Sequence, residues 1–304
     1  MPVTLYIDVP KDFSFRATVY SHGWCELAPF SLDAEKWRLT YVFRNGNSST
    51  PGVIFEEKGK LRIDLANSKI KPEKIIRDVR HILRLDDDLS GLYDAVSHDE
   101  RLAWVADRRA GRLLRSPTVW EDLVKTICTT NCSWALTKIM VNNLVDKLGQ
   151  RVGTQAAGLR VSDAKTGLSN SFPTPDVMTS VDESFYRTEI KAGYRAPYFV
   201  ELAEKVVARE IDPEKWLHSE MPTPELKKEM KKVKGVGDYA AENLLKLVGR
   251  YDGLALDSWL RSQFYKNHNN GRTCKDIKIE RHYKKYGEWR GLVIWCDMTE
   301  KWIT

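Results

Sequence analysis

The sequence predicts an α+β protein in which an amino-terminal antiparallel β-sheet precedes a mostly α-helical region. Two observations lead to this fold class. Apolar and polar residues alternate over residues 13–20, 37–43 and 59–65, which is the period of strands with one buried face. From about Pro72 onward, apolar residues recur at helical spacing instead. We therefore expect an antiparallel β domain over residues 1–85 and a helical region over residues 86–304.

Two helix starts can be read within the helical region. Thr118 followed by Glu121 has the spacing of a capping box, in which each side chain satisfies a free backbone N–H of the first turn. This helix should end near Asn131, and a second helix should follow Ser133. Residues 150–175 are rich in Gly, Ser, Thr and Pro, which indicates a loop.

The composition excludes several classes of protein. With 304 residues, of which 42% are hydrophobic, the chain can bury a core without a disulfide or metal. The five cysteines include no C-x-x-C pair, so reduced thiols and no zinc site are expected. The longest apolar run, 292–296, is too short to cross a bilayer, and the amino terminus lacks a secretion signal. A cytoplasmic protein is expected, associated with the nucleoid if the source is prokaryotic.

Positive charge is concentrated at the carboxy-terminal end. The formal net charge is +6, and residues 231–304 carry all of this excess, with fifteen Lys and Arg against nine acidic residues. Such a distribution is typical of a surface that meets a polyanion, although a solvated basic face without a partner would look the same.

A helix, a glycine turn and a second helix are predicted over residues 224–248. Leu226, Met230 and Val233 form one apolar stripe, and Gly235 should end that helix. Gly235 and Gly237 let the backbone approach a ligand closely, and the second helix begins near Asp238. Exposed N–H groups at its amino terminus would bind an anion, with lysines 231, 232 and 234 nearby. A DNA phosphate is the natural ligand.

Asp257 lies nineteen residues beyond Asp238, directly after the apolar residues 254–256. An acid in this position can open a helix as its N-cap, and in isolation that would be its expected role.

Together these residues resemble the helix-hairpin-helix superfamily of DNA glycosylases. The similarity rests on residues 234–241 followed by 256–259, on the G-Y-R-A stretch at 193–196, on residues 127–131, and on residues 172–175 and 287–295. In 8-oxoguanine DNA glycosylases the corresponding segments occur in the same order. The resemblance implies a glycosylase core of two helical subdomains around a base pocket, with Asp257 as the catalytic carboxylate.

The sequence also departs from the family pattern. Bifunctional members carry a Schiff-base lysine where this chain has Tyr239, and alkylpurine glycosylases carry an aromatic residue there. The glutamine and phenylalanine that read and stack on the base in 8-oxoguanine glycosylases correspond to Gly291 and Trp295. Lys234 and Lys246 are not expected to reach the position of Tyr239. The iron-sulfur cysteines of other members are missing.

The resemblance and the residue chemistry assign the site as follows. Asp257 would stabilise positive charge on the sugar or activate water. The flipped base would enter a pocket formed by Tyr239, Trp295, Trp259 and Gly291, and Asn131 would fill the gap in the duplex unless it only caps its helix. Double-stranded DNA would contact Lys234, Gly235, Val236, Gly237, Asn131, Arg195 and Arg261. No metal or other cofactor and no membrane is expected, and the protein should be a monomer.

Two classes of function follow. The first is a monofunctional DNA glycosylase of base excision repair, with an alkylated purine as the favoured base and an oxidised purine or modified cytosine as alternatives. The second is a catalytically silent helix-hairpin-helix module that only binds duplex DNA. The spacing of Asp257 and the aromatic pocket residues favour the enzyme.

Overall fold

A computed structural model describes residues 2–152 and 170–303, so most of the loop predicted at 150–175 lies outside the described residues. Five strands form one antiparallel sheet in the order β1-β5-β4-β3-β2. Their bounds are β1 Val3–Asp8, β2 Phe30–Asp33, β3 Arg38–Asn45, β4 Ser48–Glu57 and β5 Lys60–Leu65. Leu39, Ile54 and Ile63 are in register across the three central strands and are fully buried. The predicted sheet and two of its strands are thereby confirmed.

The strand predicted over residues 13–20 is wrong, because Phe15–Val19 forms a short helix, α1. The Ser14 hydroxyl accepts a hydrogen bond from the Ala17 N–H at 3.3 Å and caps the first turn. Phe15, Ala17, Thr18 and Val19 are all buried. Both faces of this segment are therefore buried. The alternation of apolar and polar residues in its sequence is not that of a strand with one buried face.

The rest of the described chain is mainly helical, and no helix in it is long and apolar enough to span a membrane. The predicted helices at 72, 118 and 133 are confirmed, with the Thr118 and Ser133 side chains acting as N-caps. The helices are α2 Pro72–Ile82, α3 Ser90–Val96, α4 Ala103–Asp107, α5 Val119–Thr129, α6 Trp134–Leu148, α7 Pro175–Met178, α8 Glu183–Thr188, α9 Ala196–Val207, α10 Thr223–Met230, α11 Asp238–Leu247, α12 Ser258–His268, α13 Asp276–Tyr283 and α14 Arg290–Ile303.

Buried acids on α5 connect the sheet to the helices. The Tyr41 hydroxyl donates to Glu121 at 2.7 Å, and the Glu121 carboxylate also accepts from Lys125 at 2.6 Å. Glu121 therefore does not reach back to Thr118, so only half of the predicted capping box forms. The Trp24 indole donates to Asp122 at 2.7 Å in the same way.

Three buried arginines join the end of α2 to the end of α11. Arg84 is 1% exposed and donates to Asp87 at 2.7 Å, to the carbonyl oxygens of Lys246 and Leu247, and to the Tyr251 hydroxyl. Similar bonds are made by Arg112 to the carbonyls of residues 84 and 87, and by Arg115 to those of residues 81 and 247. The last carbonyls of α11 thus receive cationic donors, which also suits the negative end of the helix dipole.

Arg84→Met should lower the free energy of unfolding by about 3–5 kcal/mol, because it removes the cationic donor of the buried Lys246 carbonyl and leaves Asp87 and the Leu247 carbonyl with Arg115 alone. Denaturant unfolding of both proteins measures the difference. Arg108→Met, at an exposed position directly after α4, is the control and should change the free energy of unfolding by less than about 0.5 kcal/mol. A wild-type stability for Arg84→Met would show that the cluster does not hold the two helix ends.

Candidate functional site: an aromatic cavity beside a helix-hairpin-helix

The predicted glycine hairpin is present between α10 and α11. Gly235 has a φ of 91°, and a Cβ there would lie 2.6 Å from the Tyr198 ring, so this glycine is required by the fold. Gly237 differs, because its φ is −86° and a Cβ on it would meet nothing within 4 Å. Nothing in the surrounding protein demands a glycine at 237. It leaves room for another molecule to approach the backbone.

The amino terminus of α11 has no side-chain cap. Its first N–H groups therefore remain available to an anion at the positive end of the helix dipole. The Val236 side chain is buried and its N–H donates to the Val233 carbonyl, so this residue supports the turn and offers no donor. Neither its side chain nor its N–H is therefore available to a phosphate, and a contact of DNA with Val236 stays a prediction.

The lysines around the hairpin have carboxylate partners in the structure. Lys231 lies 3.0 Å from Asp238, Lys232 lies 2.6 Å from Glu229, and Lys234 lies 3.4 Å from Glu201. The Lys234 side chain remains half exposed at 52%, and such surface pairs are weak. A phosphate that approaches the hairpin can compete for these ammonium groups.

A cavity of about 710 Å³ opens next to the hairpin and contains most of the predicted pocket residues. This volume is within the ~300–1,000 Å³ range of ligand sites and can hold one nucleobase. Tyr239, Asp257, Trp259 and Trp295 all line it. The other lining residues come from the segment after α1, the loop before α5, helices α5 and α6 with the turn between them, α11 and α14. They are Tyr20, His22, Gly23, Trp24, Cys25, Glu26, Leu113, Thr126, Thr129, Cys132, Trp134, Thr137, Asn243, Lys246, Leu247 and Trp302.

One face of α11 runs along this cavity. Tyr239, Asn243 and Lys246 are spaced i, i+4 and i+7, and their exposure falls from half-buried at Tyr239 and Asn243 to 2% at Lys246. The sequence analysis overlooked Asn243, although this spacing on a predicted helix would have indicated it. Lys246 also lines the cavity, because two helical turns bring a residue back to the same face; that it does not reach the position of Tyr239 stays a prediction.

Burial changes the protonation of two groups in this row. It raises the pKa of Tyr239 to about 12, with a further contribution from the nearby Asp257 charge. It lowers the pKa of Lys246 to about 8, against the attraction of Glu242 and Asp257. The Tyr239 phenol therefore stays protonated at neutral pH. The protonated form of Lys246 is less favoured than that of an exposed lysine.

Asp257 is the N-cap of α12 and also lies on the cavity wall. Its Oδ1 accepts a hydrogen bond from the Leu260 N–H at 2.7 Å, which fixes the carboxylate. In the described part of the chain Oδ2 has no hydrogen-bond partner. The capping role and a chemical role are thus compatible, because each uses a different oxygen.

Glu242 holds the segment that leads to Asp257. Its Oε2 accepts from the Ala255 N–H at 2.5 Å, and its Oε1 accepts from Lys227 at 2.6 Å. Ala255 has a φ of 52°, a left-handed conformation that costs energy for a residue with a side chain. We infer that the hydrogen bond from the Ala255 N–H to Glu242 stabilises this conformation and so determines where Asp257 lies.

Gly291 does not line the cavity, which corrects its assignment to the base pocket. Its N–H donates to the Tyr251 carbonyl at 2.7 Å, and a Cβ on it would overlap the Gly253 carbonyl oxygen. The first turn of α14 therefore packs directly on the backbone of the segment before Asp257. A glycine is needed there for that contact, whatever base is bound.

Five tryptophans line the cavity, more than the two expected from the sequence. Trp259, Trp295 and Trp302 contact one another with ring centroids 5.3–6.0 Å apart, and the Trp295 indole donates to the Ser21 carbonyl at 2.8 Å. The other two, Trp24 and Trp134, come from distant segments. No local pattern marks these two as site residues, because only the fold brings them to the cavity.

Asn131 lies on an exposed turn between α5 and α6, with a φ of 47°. Thr129 at the end of α5 and Cys132 in this turn both line the cavity, so Asn131 lies at its edge. Arg195 is 3% exposed and donates to the carbonyl oxygens of Ile127 and Thr130. Arg195 therefore holds the turn from inside, and the prediction that it contacts DNA is wrong.

Two further polar clusters lie outside the cavity. Arg261 forms a two-pronged ion pair with Asp276 at 2.8 Å and is one-third exposed. Among the described residues, His268, His282 and Asp297 form one group with metal-ligand chemistry. The Asp297 carboxylate already accepts from His268, Tyr283 and Arg101, so this group ties α12, α13 and α14 together.

Known proteins were compared with this chain in sequence and in structure. No protein-family model matches the chain. It is 31% identical over 126 residues to the N-glycosylase/DNA lyase of Saccharomyces cerevisiae, a match that covers 41% of this chain and 31% of that protein. The chain thus spans less than a third of the length of this curated relative.

Solved structures match over nearly the whole chain. MBOgg1 in complex with a low-affinity DNA ligand has a TM-score of 0.75 at 21% identity, with 99% of this chain and 96% of that one covered. The 8-oxoguanine glycosylase/lyase of Clostridium acetobutylicum has a TM-score of 0.74 at 18% identity, covering 96% and 94%. The 3-methyladenine DNA glycosylase of Archaeoglobus fulgidus has a TM-score of 0.74 at 17% identity, covering 98% of both. The chain therefore has the fold of the helix-hairpin-helix DNA glycosylases.

Proposed function

We propose that this protein is a monofunctional DNA glycosylase that removes a modified base from double-stranded DNA in base excision repair. The observation that carries the proposal is the position of Asp257, whose unpaired carboxylate oxygen lies on the wall of an aromatic cavity beside an uncapped hairpin helix. The hairpin would bind a phosphate, the duplex would release one nucleotide into the cavity, and Asp257 would act at its sugar.

The chemistry needs no group beyond these. As the bond between C1′ and the base nitrogen breaks, the bonding electrons leave with the base and positive charge develops on the sugar. The Asp257 carboxylate stabilises this charge and accepts a proton from the water that attacks C1′. A cationic alkylated purine leaves as a neutral base, whereas an uncharged modified base takes up the proton that Asp257 accepted from water. The strand keeps an intact backbone with an abasic site.

The positions of the two candidate amines support hydrolysis over a Schiff base. At the hairpin position of the bifunctional enzymes stands Tyr239, whose phenol cannot form an imine. Lys246 lies seven residues further along α11, about 10 Å along the helix axis, at the buried end of the row. A base that entered the cavity would lie between the Lys246 amine and the sugar to which the base is bonded.

An alkylated purine is the substrate that we favour. Alkylation at a ring nitrogen makes the base electron-poor, and the electron-rich faces of Trp295 and Trp259 suit such a ring. An oxidised purine or a modified cytosine is the alternative base. A protein that only binds duplex DNA would not need a carboxylate with an unpaired oxygen in a cavity of this size.

Asp257→Asn should abolish base release, because the uncharged amide cannot stabilise positive charge on the sugar, and should leave affinity for DNA nearly unchanged. Asparagine is an equally good N-cap, so α12 should remain intact. Duplexes that each hold one modified base are incubated with either protein, and alkali then reveals abasic sites. Release near the wild-type rate would contradict the catalytic assignment, and no release by the wild type from any duplex would contradict the proposed enzyme.

Gly237→Val should weaken binding to all duplexes alike, by roughly 10-fold or more, since a side chain would fill the space above the hairpin and a phosphate contact reads no sequence. The extended backbone at 237 accepts valine, so the melting temperature should not change. Gly235→Val is the comparison variant and should lower the melting temperature, because it combines a positive φ with a clash against Tyr198. Equal affinity of Gly237→Val and wild type at low salt would show that the hairpin is only a packing turn.

Borohydride should trap no covalent protein–DNA adduct during turnover, because no amine is positioned at the sugar. The measurement is a gel shift of a labelled duplex after reduction, on a base that the wild type releases. Lys246→Met is the matched variant, since it removes the amine that shares the cavity. An adduct that forms with wild type and disappears in Lys246→Met would replace hydrolysis by lyase chemistry through that residue.

A further inference from the structure

Two buried polar groups in the cavity have hydrogen-bonding capacity that the protein does not use. The Lys246 amine has a single hydrogen bond within the described residues, to the Leu254 carbonyl at 3.2 Å, and it can donate three. The Thr126 hydroxyl is buried and has no partner among those residues. Both side chains line the cavity, on α11 and α5 respectively.

Lys246 has no structural reason to be a lysine. Its surroundings include the Trp295 ring, 6.0 Å from Nζ, and within the described chain no carboxylate is at ion-pair distance. A buried amine of this kind opposes folding, because one hydrogen bond to the Leu254 carbonyl replaces only part of the hydration that it loses. A polar group that lowers stability and faces a cavity is a candidate for ligand recognition.

The location of Lys246 defines which part of a base it would meet. Tyr239 and Asp257 flank the half-buried part of the cavity, where the sugar must lie for the carboxylate to act. Lys246 lies at the deep end of the same helix face. The edge of the base remote from the glycosidic nitrogen therefore reaches the amine first, and in a purine this edge carries the substituent at C6.

We propose that Lys246 selects purines that carry a carbonyl oxygen at C6. This inference rests on the proposed function and adds the class of base. Lys246 donates to the carbonyl oxygen, and the Thr126 hydroxyl accepts from the neighbouring N1–H. A purine with an amino group at C6 places N–H donors against the ammonium, so the desolvation of both groups is not repaid, whereas the Thr126 hydroxyl can donate to the unprotonated N1 of such a base and does not discriminate. Guanine-type lesions are therefore preferred to adenine-type lesions.

The test measures release of two matched pairs of bases by wild type and by Lys246→Met, which keeps the length of the side chain but has no donor. The pairs are 3-methylguanine with 3-methyladenine, in methylated DNA, and 8-oxoguanine with 8-oxoadenine, in defined duplexes. Wild type should prefer the 6-carbonyl member of whichever pair it accepts. In Lys246→Met, kcat/KM for that member should fall roughly 10- to 100-fold, the range of a charge-assisted hydrogen bond, and should change less than about 3-fold for the 6-amino member.

Two controls separate recognition from folding. Lys246→Met should bind a duplex with an abasic-site analogue as wild type does, because no base enters the cavity, and its melting temperature should equal or exceed that of wild type. Lys60→Met, at an exposed strand position paired with Asp8, should leave both rates unchanged. An unchanged preference in Lys246→Met overturns the inference and leaves the glycosylase intact. Absence of release by the wild type from both pairs overturns the proposed substrates and the inference with them.

Discussion

The buried arginine cluster at the carboxyl end of α11 is the constraint on which the site depends. Arg84 donates to the carbonyls of both Lys246 and Leu247 at the end of the helix, and its charge is balanced by Asp87 at 2.7 Å. Buried cations of this kind are tolerated when most of their donors are used, and here the donors bond to backbone carbonyls and to the side chains of Asp12, Asp87 and Tyr251. The cluster anchors α11 to the end of α2, so the position of the helix is determined at the end that lies away from the hairpin.

With one end anchored, α11 can serve three tasks at once. Its uncapped amino terminus faces the hairpin, where N–H groups remain available. The row from Tyr239 to Lys246 lines the cavity, and Glu242 on the adjoining face fixes Ala255 ahead of Asp257. A rotation of the helix would disturb all three together. Rigid elements of this kind place reacting groups more accurately than loops do, which is what a glycosidic bond cleavage requires.

The site also shows where stability and chemistry compete. Ala255 adopts a left-handed backbone, and within the part of the chain that the structure describes Lys246 is buried without an ion pair and the Thr126 hydroxyl without a partner. Each of these opposes folding by an amount typical of a single unfavourable group, and all three lie in or next to the cavity. The surrounding core, which has ordinary apolar packing on α2, α5 and α11, offsets them.

Local sequence patterns determined the elements and the chemistry that each could carry. Alternation found β3 and β5, helical spacing found α2, a capping box found α5, apolar residues after Ser133 found α6, and two glycines with a following acid indicated the hairpin and Asp257. These features depend on neighbours in sequence, which is why they could be read. Burial depends on distant segments, and only the tertiary structure decided it. Packing on both faces made a helix of residues 15–19, enclosed Arg195, turned Gly291 towards backbone carbonyls, and brought Trp24, Trp134 and the Lys246 amine into one cavity.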